Sequence, residues 1–331
     1  MHNGFLRMSN NVIYANSRIS ARETKLIDGE KLRRLLDCNT LADAVKTLAE
    51  YGIGDGTETD VDVILKAERE QLMSFIKELK LDGAFITAVL KKYDFHNVKV
   101  LMKAKYMRLQ EYSYMLYPEY SYEVKRLADK FKTDDYTDVE PILESALLSI
   151  DESFAGGNRS PKTIDVIIDR AYYEYVMKKV KGDKLALKYF TFKVFALNVM
   201  TFIRAKKMKQ DVSEFKAQYI GKQDENFNKL VECYQQANAI EALANAYGET
   251  EYGKLLKGID WEDVSAVEKA VDDKLIDFVD KKREDVFSDA KSVAYFLARE
   301  REQNAINLIL TAIKNKIDKS QVSLRLRGIN G

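Results

Sequence analysis

The chain of 331 residues is long for one helical core, so two or three domains are expected. Its 53 basic and 52 acidic residues leave a net charge of +1, which argues against the positive field of a nucleic-acid binder, and 46% hydrophobic content argues against long-range disorder. Only 15 glycines and 3 prolines are present, the prolines confined to Pro118 through Pro161, so long helices are expected over a sheet with many turns.

In chain order, Met1 to Asn11 lack the long apolar core of a signal peptide. From Ser20 to Arg34 charges of both signs alternate, as on a solvated helix face laced by pairs four residues apart. Leu35, Leu36, Cys38, Ala42, Ala44, Val45 and Leu48 recur 195 residues later as Leu230, Val231, Cys233, Ala237, Ala239, Ile240 and Leu243. Equivalent places in a repeat mark both cysteines as small buried apolar residues. Two cysteines so far apart make no disulfide framework, and a reducing, cytoplasmic compartment is expected. Gly52, Gly54 and Gly56 follow an amphipathic helix and lack the Lys-Ser/Thr of a phosphate loop, so they read as a helix cap and turn. Gly156-Gly157-Asn158 reads as a loop tip.

Three later segments share a pattern: Asn97 to Lys105, Asn198 to Lys206 and Asn304 to Ala312, spaced by 101 and 106 residues. In the first two copies an arginine, Arg69 or Arg170, stands 28 positions before the asparagine. An apolar-periodic helix precedes each copy: Leu72, Phe75, Ile76 and Leu79; Tyr173, Val176, Met177 and Val180; Leu275, Ile276, Phe278 and Val279. Asn97, Leu101 and Ala104 share a helix face, as do Asn198, Phe202 and Ala205, and Asn304, Leu308 and Thr311. A polar residue opening an apolar stripe predicts close helix packing, with the asparagine bonded to backbone. Three such units of about a hundred residues suggest a pseudo-three-fold object with something on its axis. The division expected is 1–112, 113–212 and 213–331.

No catalytic, cofactor or metal constellation emerges. The two histidines, His2 and His96, cannot build a His-rich zinc site, and no CxxC pair is present. No nucleophile elbow accompanies His96. The carboxylate pairs Asp272-Asp273 and Glu262-Asp263 lack calcium-loop spacing. The tyrosines from Tyr112 to Tyr122 read as amphipathic filling rather than a base-stacking platform. The basic run Arg204 to Lys209 complements a helix C-terminus or contacts a protein partner. The longest uncharged run, Gln303 to Ile313, is too short for a bilayer span of about 20 residues, so membrane association is expected through a protein partner.

The segment Tyr14-Ala15-Asn16-Ser17-Arg18 through Leu26, the element Tyr93-Asp94-Phe95-His96-Asn97-Val98-Lys99, the element Asn198 to Lys206 and the basic tail Leu324-Arg325-Leu326-Arg327-Gly328 together resemble the C subunit of V-type ATPases and ATP synthases, counterpart of the d subunit of the eukaryotic V-ATPase. The likeness covers nearly the whole chain by order, spacing and length. It implies an all-α funnel of three similar helical domains with a central cavity, seated on the membrane rotor ring and receiving the central shaft. It implies a non-catalytic rotor subunit without cofactor, peripheral at the cytoplasmic face, coupling ATP turnover to proton or sodium transport. Lys103, Lys105, Arg204 and Lys206 are the candidate partner contacts; Asn97, Asn198 and Asn304 are the repeat positions. The third copy has Leu310 and Ala312 where the others are basic. A helical-repeat adaptor with a concave binding face is the alternative, and a helical enzyme with an unrecognised site is a third reading.

Overall fold

The computed structural model describes residues 2–250 and 264–326, and every regular element among them is helical, which places the chain in the all-α class. The carboxylates Glu262 and Asp263 and the tail residues Arg327 and Gly328 lie outside the described residues. The helices are α1 (His2–Glu23), α2 (Gly29–Asp37), α3 (Leu41–Glu50), α4 (Val61–Glu78), α5 (Ala84–Met107), α6 (Val124–Phe131), α7 (Pro141–Ala155), α8 (Pro161–Lys179), α9 (Lys184–Lys207), α10 (Val212–Gln218), α11 (Glu225–Gln235), α12 (Ala239–Tyr247), α13 (Val264–Asp280), α14 (Ala290–Lys314) and α15 (Lys319–Arg325).

Local chemistry explains many of the boundaries. Asp28, Thr40, Asp60, Asp183, Asp224 and Asp318 accept hydrogen bonds from the first-turn amides of the helices they precede. Asp211 and Glu214 form a reciprocal capping box on α10. Pro141 and Pro161 stand at the first helical position, where a missing N–H costs nothing. After α3, Gly52, Gly54 and Gly56 all take positive φ, so the glycine cluster is a turn that side chains would strain.

Two compact units divide the chain: Met1–Val89 with Ile276–Gly331, and Leu90–Leu275. In the first, segments from the two ends of the sequence share one core. Leu32 and Leu35 of α2, Leu48 of α3 and Leu65 of α4 pack with Ile306, Ile309 and Leu310 of α14 and Val322 of α15. Helix α1 is tied to the start of α14 by buried Asn16, which donates to the carbonyls of Val286 (2.8 Å) and Ser288 (3.0 Å) and accepts from the Ser292 hydroxyl (2.9 Å). The Arg22 guanidinium lies 3.8 Å from the Phe75 ring centroid, and Phe75 meets Tyr295 edge-on.

The second unit holds two groups of helices. In one, α5 packs on α7 and α8 through Tyr106 with Phe154 and Phe95 with Tyr172. In the other, Phe202 of α9 meets Phe215 of α10 and Tyr234 of α11 edge-on, while those two rings stack 4.7 Å apart. Each such ring, fully buried, contributes roughly 1.5–3 kcal/mol. Cys233 sits in this core, and burial pushes its thiol up. Cys38 departs from the expected burial: it is half-buried at the end of α2, its sulfur 3.6 Å from the Thr47 hydroxyl.

Helix α9 is long and apolar enough to cross a bilayer by length and composition, with mean hydropathy 1.3 over its best window. Scattered lysines hide this from a search for uninterrupted apolar runs. More than half of that window is buried in the protein, including Phe190, Phe202 and Ile203, which is the pattern of a core helix.

A close approach fixes the start of α5. Asp289 accepts from the Ile86 amide at 3.1 Å, and a Cβ on Gly83 would stand 2.9 Å from the Asp289 Cβ. Gly83→Ala is therefore expected to expel the Asp289 cap and cost about 1–2 kcal/mol, read as a lower urea midpoint; an unchanged midpoint would show that the cap is dispensable.

Candidate functional site: the ends of the long helices

Helices α5, α9 and α14 end alike. Arg108, Lys209 and Lys316 take left-handed φ of 54°, 56° and 54°. The next amide in each case, from Leu109, Gln210 or Ile317, reaches back to the carbonyl of Ala104, Ala205 or Ala312 at 3.1, 2.9 and 2.9 Å. This paired geometry terminates a helix by turning the chain sharply while satisfying orphan carbonyls. Aligned on these ends, the copies are 101 and 107 residues apart. Val98, Val199 and Ile306 then coincide, as do Leu101, Phe202 and Ile309, and every one is buried.

In this register Asn97 and Asn198 do the same work. Asn97 donates to the Tyr117 carbonyl (3.0 Å) and accepts from the Tyr117 amide (2.8 Å). Asn198 donates to the Ile220 carbonyl (2.7 Å) and accepts from the Ile220 amide (2.8 Å). Both asparagines are buried, so each clasps both backbone groups of one residue in the segment that follows its helix. Arg170 grips the second segment too, donating to the carbonyls of Ala217 (2.7 Å) and Tyr219 (2.8 Å).

Asn304 is placed differently. It is exposed, and Ala305 occupies the buried place equivalent to Asn97 and Asn198. The expected spacing of 106 aligned residue names; the helix end sets 107, and one residue is about 100° around the helix. Leu308 is accordingly only half-buried and Thr311 exposed.

One turn earlier, Asp94, Phe195 and Glu302 coincide, all buried. Asp94 accepts from the amides of Ser121 (3.0 Å) and Tyr122 (3.3 Å) and pairs with Lys91 (3.0 Å), which also reaches Glu140 (2.5 Å). Glu302 pairs with Arg299, which also reaches Glu68 of α4, so in the third copy an ion pair stands where Asp94 holds a following segment. His96 is half-buried, its Nε2 2.9 Å from the Met115 carbonyl and its ring 4.3 Å from that of Tyr117; burial holds its imidazole below the ordinary value. No group of His, Cys, Asp and Glu able to hold a metal occurs among the described residues.

The four expected partner cations all have contacts within the second unit. Lys103 pairs with Asp165 at 2.7 Å, beside Lys99 and Asp169 at 2.7 Å. Lys105 reaches Asp134 (2.5 Å), Asp151 (3.2 Å) and the Tyr136 hydroxyl (2.5 Å); Asp151 also accepts from Tyr106 and Tyr136 (2.7 Å). Burial and that carboxylate push both phenols up. Arg204 pairs with Glu268, and Lys206 lies 4.2 Å from the Tyr234 ring centroid. Arg204 is the most open of the ion-paired three, its side chain 57% exposed. Sequence reading missed Asp165 and Asp169, whose four-residue spacing on α8 matches that of Lys99 and Lys103 on α5.

What the helix ends leave open is apolar and basic. Leu109, Met208 and Ile317 are exposed beside the left-handed residues, within runs that include Arg108, Lys207, Lys209, Lys314 and Lys316. Apolar side chains flanked by cations, on backbone locked by clasps and caps, suit a protein partner of mixed apolar and acidic character.

The profile of the ATP synthase (C/AC39) subunit family matches residues 15–324. Similar proteins include the C subunit of the A-type ATP synthase of Thermococcus kodakarensis, 23% identical over 92% of this chain and 87% of its own length. The corresponding protein of a Desulfurococcus species is also 23% identical, over 93% and 88%. The C subunit of the V-type sodium ATPase of Enterococcus hirae is 22% identical over 95% of this chain and 97% of its own.

The clasp geometry separates two asparagines that the sequence treats alike. Asn198→Ala leaves the Ile220 amide and carbonyl unpaired and is expected to cost about 1–3 kcal/mol, whereas Asn304→Ala changes stability by less than about 0.5 kcal/mol. Urea unfolding of both variants checks this, and equal midpoint shifts would contradict it.

Proposed function

The chain belongs to the ATP synthase (C/AC39) subunit family, and from that premise we propose that it is the non-catalytic central-stalk component joining the central shaft to the membrane rotor ring of a V-type ATPase or ATP synthase. In that role it passes torque and so couples ATP hydrolysis or synthesis to transport of protons or sodium. The observation that carries the proposal is the family match over residues 15–324, supported by relatives aligned over most of their own length.

The repeated architecture supports the same reading. A torque-bearing link must not absorb rotation, and close-packed helices have low compressibility. The long helices α5, α9 and α14 are each fixed near mid-length by buried polar groups and closed by the same end geometry. We take the three copies as pseudo-three-fold domains of a funnel whose cavity receives the shaft. The partner-facing positions are the helix ends, with Arg204 ahead of Lys103, Lys105 and Lys206 because it is the more open to solvent. The protein then sits at the cytoplasmic face, held by protein rather than lipid.

Vesicles carrying the complex with and without this chain test the role. Without it, ATP hydrolysis by the catalytic head is expected to persist while ATP-driven ion uptake is lost. Ion uptake that survives its removal would overturn the coupling role.

A further inference from the structure

The first unit is closed by a buried charge cluster that the stalk role does not use. Glu68 of α4 and Glu302 of α14 both contact the guanidinium of Arg299, at 2.8 Å through Nη2 and 2.6 Å through Nη1. The carboxylate side chains are 6% and 3% exposed and the guanidinium 15%. Glu302 Oε2 and Gln303 Nε2 are buried and without a hydrogen-bond partner among the described residues.

We propose that Glu68 and Glu302, sharing the guanidinium of Arg299, form a proton-binding site that tightens the closure of the first unit as the surroundings acidify. Two negative groups bond to one positive group here, so one charge is left over in a poorly solvated place. Neutralising one carboxylate removes that excess and leaves the other paired with Arg299.

The remaining groups facing the cluster do not change this balance. Tyr295, on the same face of α14, has its phenol pushed up by burial and is neutral. Arg22 of α1 lies over the Phe75 ring. Further along, Glu23 of α1 pairs with Lys291 of α14 at 2.7 Å. Burial raises both glutamates above the ordinary carboxylate range, outweighing the attraction of Arg299. Burial alone would lower the guanidinium, but Glu302 and Glu68 outweigh it and hold Arg299 charged.

The sign follows by linkage. A carboxylate raised on folding binds its proton more tightly in the folded chain, so its contribution to stability is fully present below the ordinary glutamate value of about 4.3 and is lost as pH rises through the folded value. The elements it joins are α4 and α14, more than two hundred residues apart in sequence, within one unit.

The test uses the full chain labelled with ¹³C at the glutamate carboxyls. Carbon spectra over a pH series are expected to show two glutamates titrating above the ordinary range, with Glu68→Gln removing one and lowering the midpoint of the other. In urea unfolding, E68Q is expected to be more stable than the parent chain in neutral buffer, with the advantage shrinking as pH falls. The comparison with the parent isolates the cluster from His96, whose lowered imidazole acts in the opposite direction. Should E68Q fail to fold, the titration of the parent chain decides alone. All glutamates titrating in the ordinary range, or a stability difference that does not change with pH, would overturn the proposal.

Discussion

A buried peptide group must find a hydrogen-bond partner, and this molecule is organised around that need at the places where helix gives way to extended chain. A helix satisfies its own backbone; the segment that follows it and folds back against its flank does not. Here the flank supplies the partners. Asn97 and Asn198 each answer both groups of one residue, and Asp94 answers two successive amides. The side chains differ while the office is shared. Where the second copy carries Phe195 in place of a carboxylate, Arg170 takes up carbonyls from across the group instead. The need is therefore more constant than the residue that meets it.

That constraint explains what the sequence disclosed and what it hid. The all-helical class was legible from few breakers and long apolar periodicity, and Asn97 and Asn198 stood out because each opens an apolar row. Asn304 matched by name, yet its row of Leu308 and Thr311 faces solvent. Matching the alanines at 104, 205 and 312 would have given the true register, because a small residue at that turn lets the chain fold back closely. The partners of Lys99, Lys103 and Lys105 lie between 29 and 70 residues away in sequence, beyond the reach of any local charge rule. Burial of Cys233 without equal burial of Cys38 has a similar origin: their helices share a pattern, but the neighbours that cover them do not.

The two ends of the chain meet in one core, so α14 and α15 complete a unit that α2, α3 and α4 begin. Closure of this kind ties sequence-distant helices into one core, which suits a component proposed to carry load. The sequence-distant clasps Asn16 to Val286 and Arg299 to Glu68 make that closure polar as well as apolar, and polar bonds fix register where apolar contacts alone would allow sliding.

In the proposed role, the backbone just beyond each of α5, α9 and α14 is where partners of the complex make contact. Amide hydrogen exchange, compared between the isolated chain and the assembled rotary complex, reads each of those helix ends directly. Added protection is expected in the assembly at residues around Leu109, Met208 and Ile317, with little change at the clasped segment near Ile220, which is already closed in the free chain. Unchanged exchange at all of those helix ends, with new protection confined to other surfaces, would contradict it.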